Sequence, residues 1–146
     1  MVDQLIHNTG GESQKYFDNL NMYFLPVANP DGYEFSRTDQ RLWRKTRSNY
    51  GTACTGVDPN RNFGYHWAEV GSESNPCSEI YHGPSAFSEI EVANIRDFHN
   101  SLSPRPWLSQ CIHSYGQKWL YPYCWKDGET QPYPNNETAV SLIRYI

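Results

Sequence analysis

Asn60 and Arg61 are neighbours at the end of a turn-rich loop, Gly56-Val57-Asp58-Pro59-Asn60-Arg61-Asn62-Phe63. A planar guanidinium beside an amide donor is well equipped to grip a carboxylate. Two other short runs carry groups of comparable interest. These are Asn29-Pro30-Asp31-Gly32-Tyr33, leading to Arg41-Leu42-Trp43-Arg44-Lys45-Thr46-Arg47, and Ile112-His113-Ser114-Tyr115-Gly116-Gln117. Arg44 and Arg61 come from different loops and could converge on one substrate at two points. One would bind a terminal carboxylate, and the other would stabilise the oxyanion formed when water attacks a peptide carbonyl. The competing reading is a pair of loop arginines satisfying backbone carbonyls or nearby acids, for which Asp31, Asp39 and Asp58 are available. Side-chain chemistry alone favours that second reading.

A lone histidine is more often structural than a metal ligand. His113 differs because it ends a predicted strand, where a sheet edge presents side chains to a crevice. One histidine cannot hold a catalytic zinc, which needs about three protein ligands and an open position. His7, His66, His82 and His99 have no such setting and read as surface or packing residues.

The elements that must position these groups are partly legible. Residues 21–27 read as a short buried strand, apolar on both faces, with Pro26 marking an edge or terminus. Before it, Leu5-Ile6 and Asn8-Thr9-Gly10-Gly11 read as the tail of a helix. Turn chemistry dominates residues 29–84, which predicts a long irregular region of the kind that generally carries function. Ser88-Glu89-Ile90-Glu91 is a capping box that opens a helix through about Asn100, with Ile90, Ala93, Ile95 and Phe98 as its apolar stripe. Residues 107–112 read as a second strand delivering His113, residues 119–123 as a short extended piece, and residues 138–146 as the start of a helix. Strand, long loop, helix, strand, helix predicts an α/β sandwich whose functional loops gather at one sheet edge.

At 146 residues the chain is one domain or a piece of one. Aromatic side chains make up 15%, enough to exclude a disordered composition although the hydrophobic fraction is only 38%. A net charge of −4 argues against a nucleic-acid binder, so the basic run at 41–47 reads by default as a solvated face. Nothing reaches membrane-spanning length, and Met1-Val2-Asp3-Gln4 has neither a charged n-region nor an apolar h-region. That start does not place the protein in the cytosol.

Cys54, Cys77, Cys111 and Cys124 lie far apart, without the close pairing of a structural zinc knot. Cys54 and Cys77 both fall in loop sequence, where a bridge would stabilise by roughly 3 kcal/mol on the loop-entropy model. Such a bridge favours an oxidising, extracellular setting, and the sequon Asn136-Glu137-Thr138 agrees weakly. Two free buried thiols are the alternative.

Taken in order, Asn-Pro-Asp-Gly-Tyr, Arg-Leu-Trp-Arg-Lys-Thr-Arg, Gly-Val-Asp-x-Asn-Arg-Asn-Phe, Pro-Cys-Ser-Glu-x-Tyr-x-Gly and Ile-His-Ser-Tyr resemble the interior of the zinc metallocarboxypeptidases of the A/B (pancreatic) type, over residues 18–146. The resemblance implies a mixed β-sheet flanked by helices, with the site at one sheet edge. It implies a secreted hydrolase that releases C-terminal amino acids from peptides and proteins, with one zinc ion activating the attacking water. By similarity His113 would be the third zinc ligand and Arg44 the guanidinium that polarises the scissile carbonyl. Asn60 and Arg61 would hold the substrate's C-terminal carboxylate, and Ser114 and Tyr115 would line the cleft beside the metal. Cys54 and Cys77 match the family's disulfide. Arg44 and the Gly-Val-Asp-x-Asn-Arg form point to the A/B branch rather than the prohormone-processing branch. The implied partners are peptide or protein C termini, not nucleic acid or membrane, and the implied state is a monomer, with room for an N-terminal propeptide in the full-length form.

The chain departs from this pattern at both ends. The family's first two zinc ligands lie in a His-x-x-Glu motif upstream of residues 21–27, where none stands, since His7 is followed by Asn8-Thr9-Gly10. The general-base Glu and the mobile cleft Tyr belong to a segment beyond Ile146. The resemblance therefore implies that residues 1–146 are a partial catalytic domain, inactive alone, binding zinc weakly and marginally stable because strand edges are exposed. By alignment, Cys111 and Cys124 fall on the wall of the pocket for the C-terminal side chain. They would be either a second bridge that narrows it or two small buried residues acting as weak hydrophobes. The main charge-selecting position lies past Ile146, so neither an A-like nor a B-like preference is implied. Two rivals remain: a non-catalytic relative that binds peptide C termini, and a structural α/β unit whose motif matches serve folding alone.

Overall fold

Asn29 and Pro30 open a helix inside the region expected to be loop. The Asn29 side chain accepts a hydrogen bond from the Gly32 N–H at 3.0 Å, and Pro30 takes the first helical position, where its missing N–H leaves no bond unmade. The computed structural model describes residues 14–118 and 120. Within them the order is α1 (Gln14–Asn19), α2 (Pro30–Thr38), one 3-10 turn (Pro59–Arg61) and α3 (Ile90–Ser101). The Asn-Pro pair was the available signal for α2. It is a cap rather than a periodicity, and nine residues interrupted by Gly32 show little of the latter.

Asn29 does more than cap. Its Nδ2 donates to the Lys45 carbonyl at 3.0 Å, fastening α2 to the segment that carries Arg44. Gly32 lies against the same carbonyl, and a Cβ there would collide with it. Phe35 of α2 meets Trp43 edge to face at 5.0 Å. The Trp43 Nε1–H donates to Lys45 O (2.6 Å) and Thr46 O (3.2 Å), which fixes the indole.

Residues 46–48 then run beside 56–57. The Thr46 N–H donates to Val57 O (2.8 Å) and the Gly56 N–H to Ser48 O (2.9 Å). Gly56 has φ +85°, and a Cβ there would strike the Thr46 carbonyl, so this approach requires glycine. The expected Cys54–Cys77 disulfide is formed and ties the turn between these segments to the loop at 75–78. The Lys45 Nζ donates to Pro76 O (2.7 Å) across the same junction.

The interior is more polar than apolar. Val57 and Val92 are fully enclosed, but so are Thr46, Asp58, Asn62 and Glu89. Among the described residues no buried side-chain nitrogen or oxygen lacks a hydrogen-bond partner. Asn62 Nδ2 donates to His82 O, Ser85 O and Ser88 Oγ, while its Oδ1 accepts from the Glu89 N–H. Glu89 in turn accepts from the hydroxyls of Thr46, Ser48 (2.7 Å) and Tyr50 (2.8 Å).

This network corrects the expected capping box. The N-cap of α3 is Glu89 rather than Ser88, and it makes no side-chain cap bond. Its carboxylate is already committed to three hydroxyls from residues 46–50. The stripe also differs, because Val92 is the enclosed residue of α3 whereas Ile90 is 72% exposed.

The two expected strands are not formed among the described residues, whose one β-bridge is an isolated parallel pair, Glu73 with Tyr81. Residues 21–27 and 107–112 are irregular. A strand exists only where a neighbour exchanges N–H and C=O bonds with it, and these segments have no such neighbour here. Leu25 and Trp107 are correspondingly exposed, at 62% and 93%. Tyr23 does rest against Phe98 of α3, edge to face at 5.4 Å. Among the described residues the flanking helices are formed and the mixed sheet is not seen. The readings at 5–11, 121–123 and 138–146, the sequon at Asn136, and Cys124 lie outside the described residues. No helix among the described residues is long and apolar enough to cross a membrane.

Candidate functional site

Arg44 follows Trp43, whose indole is locked, and precedes Lys45 and Thr46, which are buried, so its backbone is held from both sides. Its side chain reaches Asp58. Nε and Nη2 both donate to Oδ2, at 3.0 and 2.7 Å. The Asp58 side chain is 2% exposed and that of Arg44 42%, so a buried carboxylate anchors a half-exposed guanidinium. The other oxygen, Oδ1, accepts from the Asn60 N–H (3.0 Å), and the Arg61 N–H donates to Asp58 O (2.9 Å). Asp58-Pro59 thus starts the 3-10 turn that carries Asn60 and Arg61.

One residue therefore brings together two of the predicted site elements. Sequence reading treated Asp58 only as an available acid. The signal that could have promoted it is Asp-Pro-Asn, a cap followed by proline at the first helical position.

Arg61 is oriented by backbone carbonyls. Its Nε donates to Gly71 O (2.7 Å) and its Nη1 to Asn60 O (3.2 Å). The geometry thus contains both readings of the arginine pair: each is tied to an acid or a carbonyl, and each retains N–H groups beyond those ties.

His113, Ser114 and Tyr115 are exposed, Tyr115 completely so. No hydrogen bond, ion pair or ring contact among the described residues joins them to Arg44, Asn60 or Arg61. Cys111 is free and exposed.

The His-x-x-Glu spacing missing upstream does occur at His66-Trp67-Ala68-Glu69, a match that the motif reading passed over. There His66 Nδ1 lies 2.8 Å from Glu69 Oε2, so the two groups engage each other. His82 packs against Trp67 and its Nδ1 contacts Gly83 O, a packing residue as expected. Among the described residues no three His, Cys, Asp or Glu side chains converge as metal ligands. The described residues do not by themselves make a zinc centre.

Two titratable groups around this frame are displaced. Burial pushes the Lys45 ammonium below its ordinary range, opposed by the charges of Glu79 and Asp58. Burial pushes the Tyr50 phenol upward; its contact with Ser88 opposes that, and the hydrogen-bonded Glu89 carboxylate adds to it. A groove of about 370 Å³ opens beside the disulfide, and Arg44, Asn60 and Arg61 are not among its lining residues.

Known proteins resemble this chain in sequence and in fold. The sequence profile described as zinc carboxypeptidase matches residues 1–145. The chain is 46% identical over 136 residues to zinc carboxypeptidase A 1 of Drosophila melanogaster, covering 93% of this chain and 30% of that protein. It is 45% identical over 127 residues to carboxypeptidase B of Astacus astacus, covering 84% of this chain and 42% of that protein. Among solved structures, that of thrombin activatable fibrinolysis inhibitor superposes with a TM-score of 0.64 at 39% identity, over 68% of this chain and 27% of that one. Carboxypeptidase A from Helicoverpa armigera superposes with a TM-score of 0.56 at 42% identity, over 66% of this chain and 24% of that one. The chain thus spans well under half the length of the relatives it matches. Its ordered motifs, its Asp58-centred frame and these matches agree, and the chain belongs to the zinc carboxypeptidase family.

Proposed function

We propose that the whole protein is a zinc-dependent metallocarboxypeptidase that releases C-terminal amino acids from peptides and proteins, and that residues 1–146 are part of its catalytic domain. The observation that carries this reading is the Asp58 frame, which draws Arg44 and the Asn60–Arg61 turn onto one carboxylate. Arg44 is the guanidinium that stabilises charge on the scissile carbonyl. Asn60 and Arg61 receive the substrate carboxylate, a task suited to an amide beside a planar fork of donors. His113 serves as a zinc ligand, and Ser114 and Tyr115 line the cleft. The Cys54–Cys77 bridge supports secretion, because such bonds persist in oxidising compartments. Peptide C termini are the partners, met by a monomer.

The test is release of the terminal residue from blocked dipeptides ending in Phe, Leu, Lys or Arg by the full-length protein, with and without a zinc chelator. Chelator-sensitive release is expected, and the preferred residue reports the side-chain preference. Binding of a peptide with a free C-terminal carboxylate without any release would instead identify a non-catalytic binder.

A further inference from the structure

Arg47 is held unlike the other arginines of its segment. Its guanidinium carbon lies 3.6 Å from the centre of the Phe35 ring and 4.6 Å from that of Trp43. The two rings stand edge to face, and the Trp43 indole is itself fixed by its bonds to Lys45 O and Thr46 O. Aromatic faces attract a guanidinium through its charge and flat surface and use none of its five N–H donors. Arg47 makes no hydrogen bond or ion pair with any described residue. A preoriented cation with unspent donors therefore borders the groove of about 370 Å³, whose other walls include Gln40, Trp43, Lys45, Thr55 and Glu79.

We propose that Arg47 and this groove form a second oxyanion site, which takes the side-chain carboxylate of an acidic residue in a bound peptide or protein. The charge count selects the class. Arg47 and Lys45 contribute two positive charges and Glu79 one negative, a balance that suits a monoanion and disfavours a phosphate dianion. The Lys45 ammonium already donates to Pro76 O, which leaves the fork of Arg47 as the principal donor, and a fork matches the planar carboxylate. Gln40 and Thr55 are neutral wall residues able to complete the hydrogen bonding. The groove shares no lining residue with Arg44, Asn60 or Arg61, so this site is independent of the grip on a C-terminal carboxylate.

The probe is N-acetylglutamyl amide, which carries a side-chain carboxylate and no free C terminus, titrated into the full chain while the Arg47 Nε–H resonance is followed by NMR. Saturable movement of that resonance is expected, with none from N-acetylglutaminyl amide. By isothermal titration calorimetry, which needs no Arg47 signal, Arg47→Gln should weaken binding at least about tenfold, the loss expected for a charge-assisted hydrogen bond. Glu79→Gln, which leaves Arg47 in place, should tighten it. An unmoved Arg47 resonance, equal movement by the glutaminyl probe, or tighter binding of inorganic phosphate than of the carboxylate would each overturn the proposal. Arg61→Gln should leave this binding unchanged, which separates the groove from the Asn60–Arg61 turn, where the probe's carboxylate could also bind; loss of binding in that variant would overturn the proposal.

Discussion

Arg44 and Asp58 meet through a single carboxylate oxygen: Oδ2 of Asp58 accepts both Nε (3.0 Å) and Nη2 (2.7 Å) of the guanidinium. The second oxygen is left for the Asn60 N–H at 3.0 Å. The carboxylate is buried and the guanidinium is not, so the acid supplies the fixed point and the base reaches outward from it. The Arg44 side chain and the turn that carries Asn60 and Arg61 are thereby tied to one buried carboxylate.

Asp58→Asn preserves the shape of this hub and removes its charge. One face of the amide must then present N–H donors either to Arg44 or to the Asn60 N–H. The expected cost is about 2–3 kcal/mol, below that of a wholly buried pair because Arg44 touches solvent. Denaturant unfolding would measure it. A loss under about 0.5 kcal/mol, the scale of an ordinary surface change, would mean that the pair does not organise the site.

Under the proposed function, the two arginines should separate kinetically in the full-length protein. Arg44→Gln removes a donor aimed at developing charge, and kcat should fall about 10²–10³-fold. Arg61→Gln removes a ground-state grip on the carboxylate, so KM should rise with kcat little changed. Steady-state kinetics on a blocked dipeptide distinguishes them; a rise in KM alone for both variants would reduce Arg44 to a binding residue.

Glu89 joins the Arg44 segment to α3, since its carboxylate collects the hydroxyls of Thr46, Ser48 and Tyr50 while its N–H is held by Asn62. Glu89→Ala takes the acceptor from the buried Thr46 hydroxyl and from Ser48 and Tyr50 nearer the surface, and should cost about 2–4 kcal/mol. Glu89→Gln keeps one acceptor oxygen and should cost about 1–2 kcal/mol. Thermal unfolding of both variants tests the order. Equal losses would show that volume, rather than acceptor capacity, is what this position supplies.

What the sequence made legible divides by range. The α3 helix and the Cys54–Cys77 pairing follow from local capping and from motif resemblance, and both are present within a residue or two of expectation. Asn60 and Arg61 were singled out by their side-chain chemistry and by motif resemblance, and the 3-10 turn that carries them is set by the Asp58-Pro59 cap. Ser88 was misread as the N-cap, because Ser-x-x-Glu (Ser88 to Glu91) is a local signature and cannot report that Glu89 takes that position with its carboxylate claimed by hydroxyls some forty residues earlier in the chain. Arg44 with Asp58 is a tertiary pairing of the same sort. The strand readings at 21–27 and 107–112 drew on apolar composition, and composition is silent on whether a partner strand lies alongside.

Tyr50 gives this interior a pH signature. Its folded pKa is raised above the ordinary value of 10.0, chiefly by burial, with Glu89 adding to the rise and Ser88 opposing it. The folded state therefore holds the phenolic proton more tightly than the unfolded state. Its contribution to stability is fully present below pH 10 and is lost as pH climbs from there through the folded pKa. Lys45 works in the opposite sense. Its folded pKa is lowered by burial from 10.5, so the unfolded chain binds more protons between the two values and stability rises with pH in that window. The wild-type profile mixes both slopes, and the informative quantity is its difference from Tyr50→Phe. That difference should be flat through neutral pH and decline above pH 10, with Tyr50→Phe losing less stability than wild type in alkali. Denaturant midpoints taken at intervals from pH 7 upward would measure it; parallel curves across the whole range would mean that the Tyr50 hydroxyl is as well solvated in the folded chain as in the unfolded one.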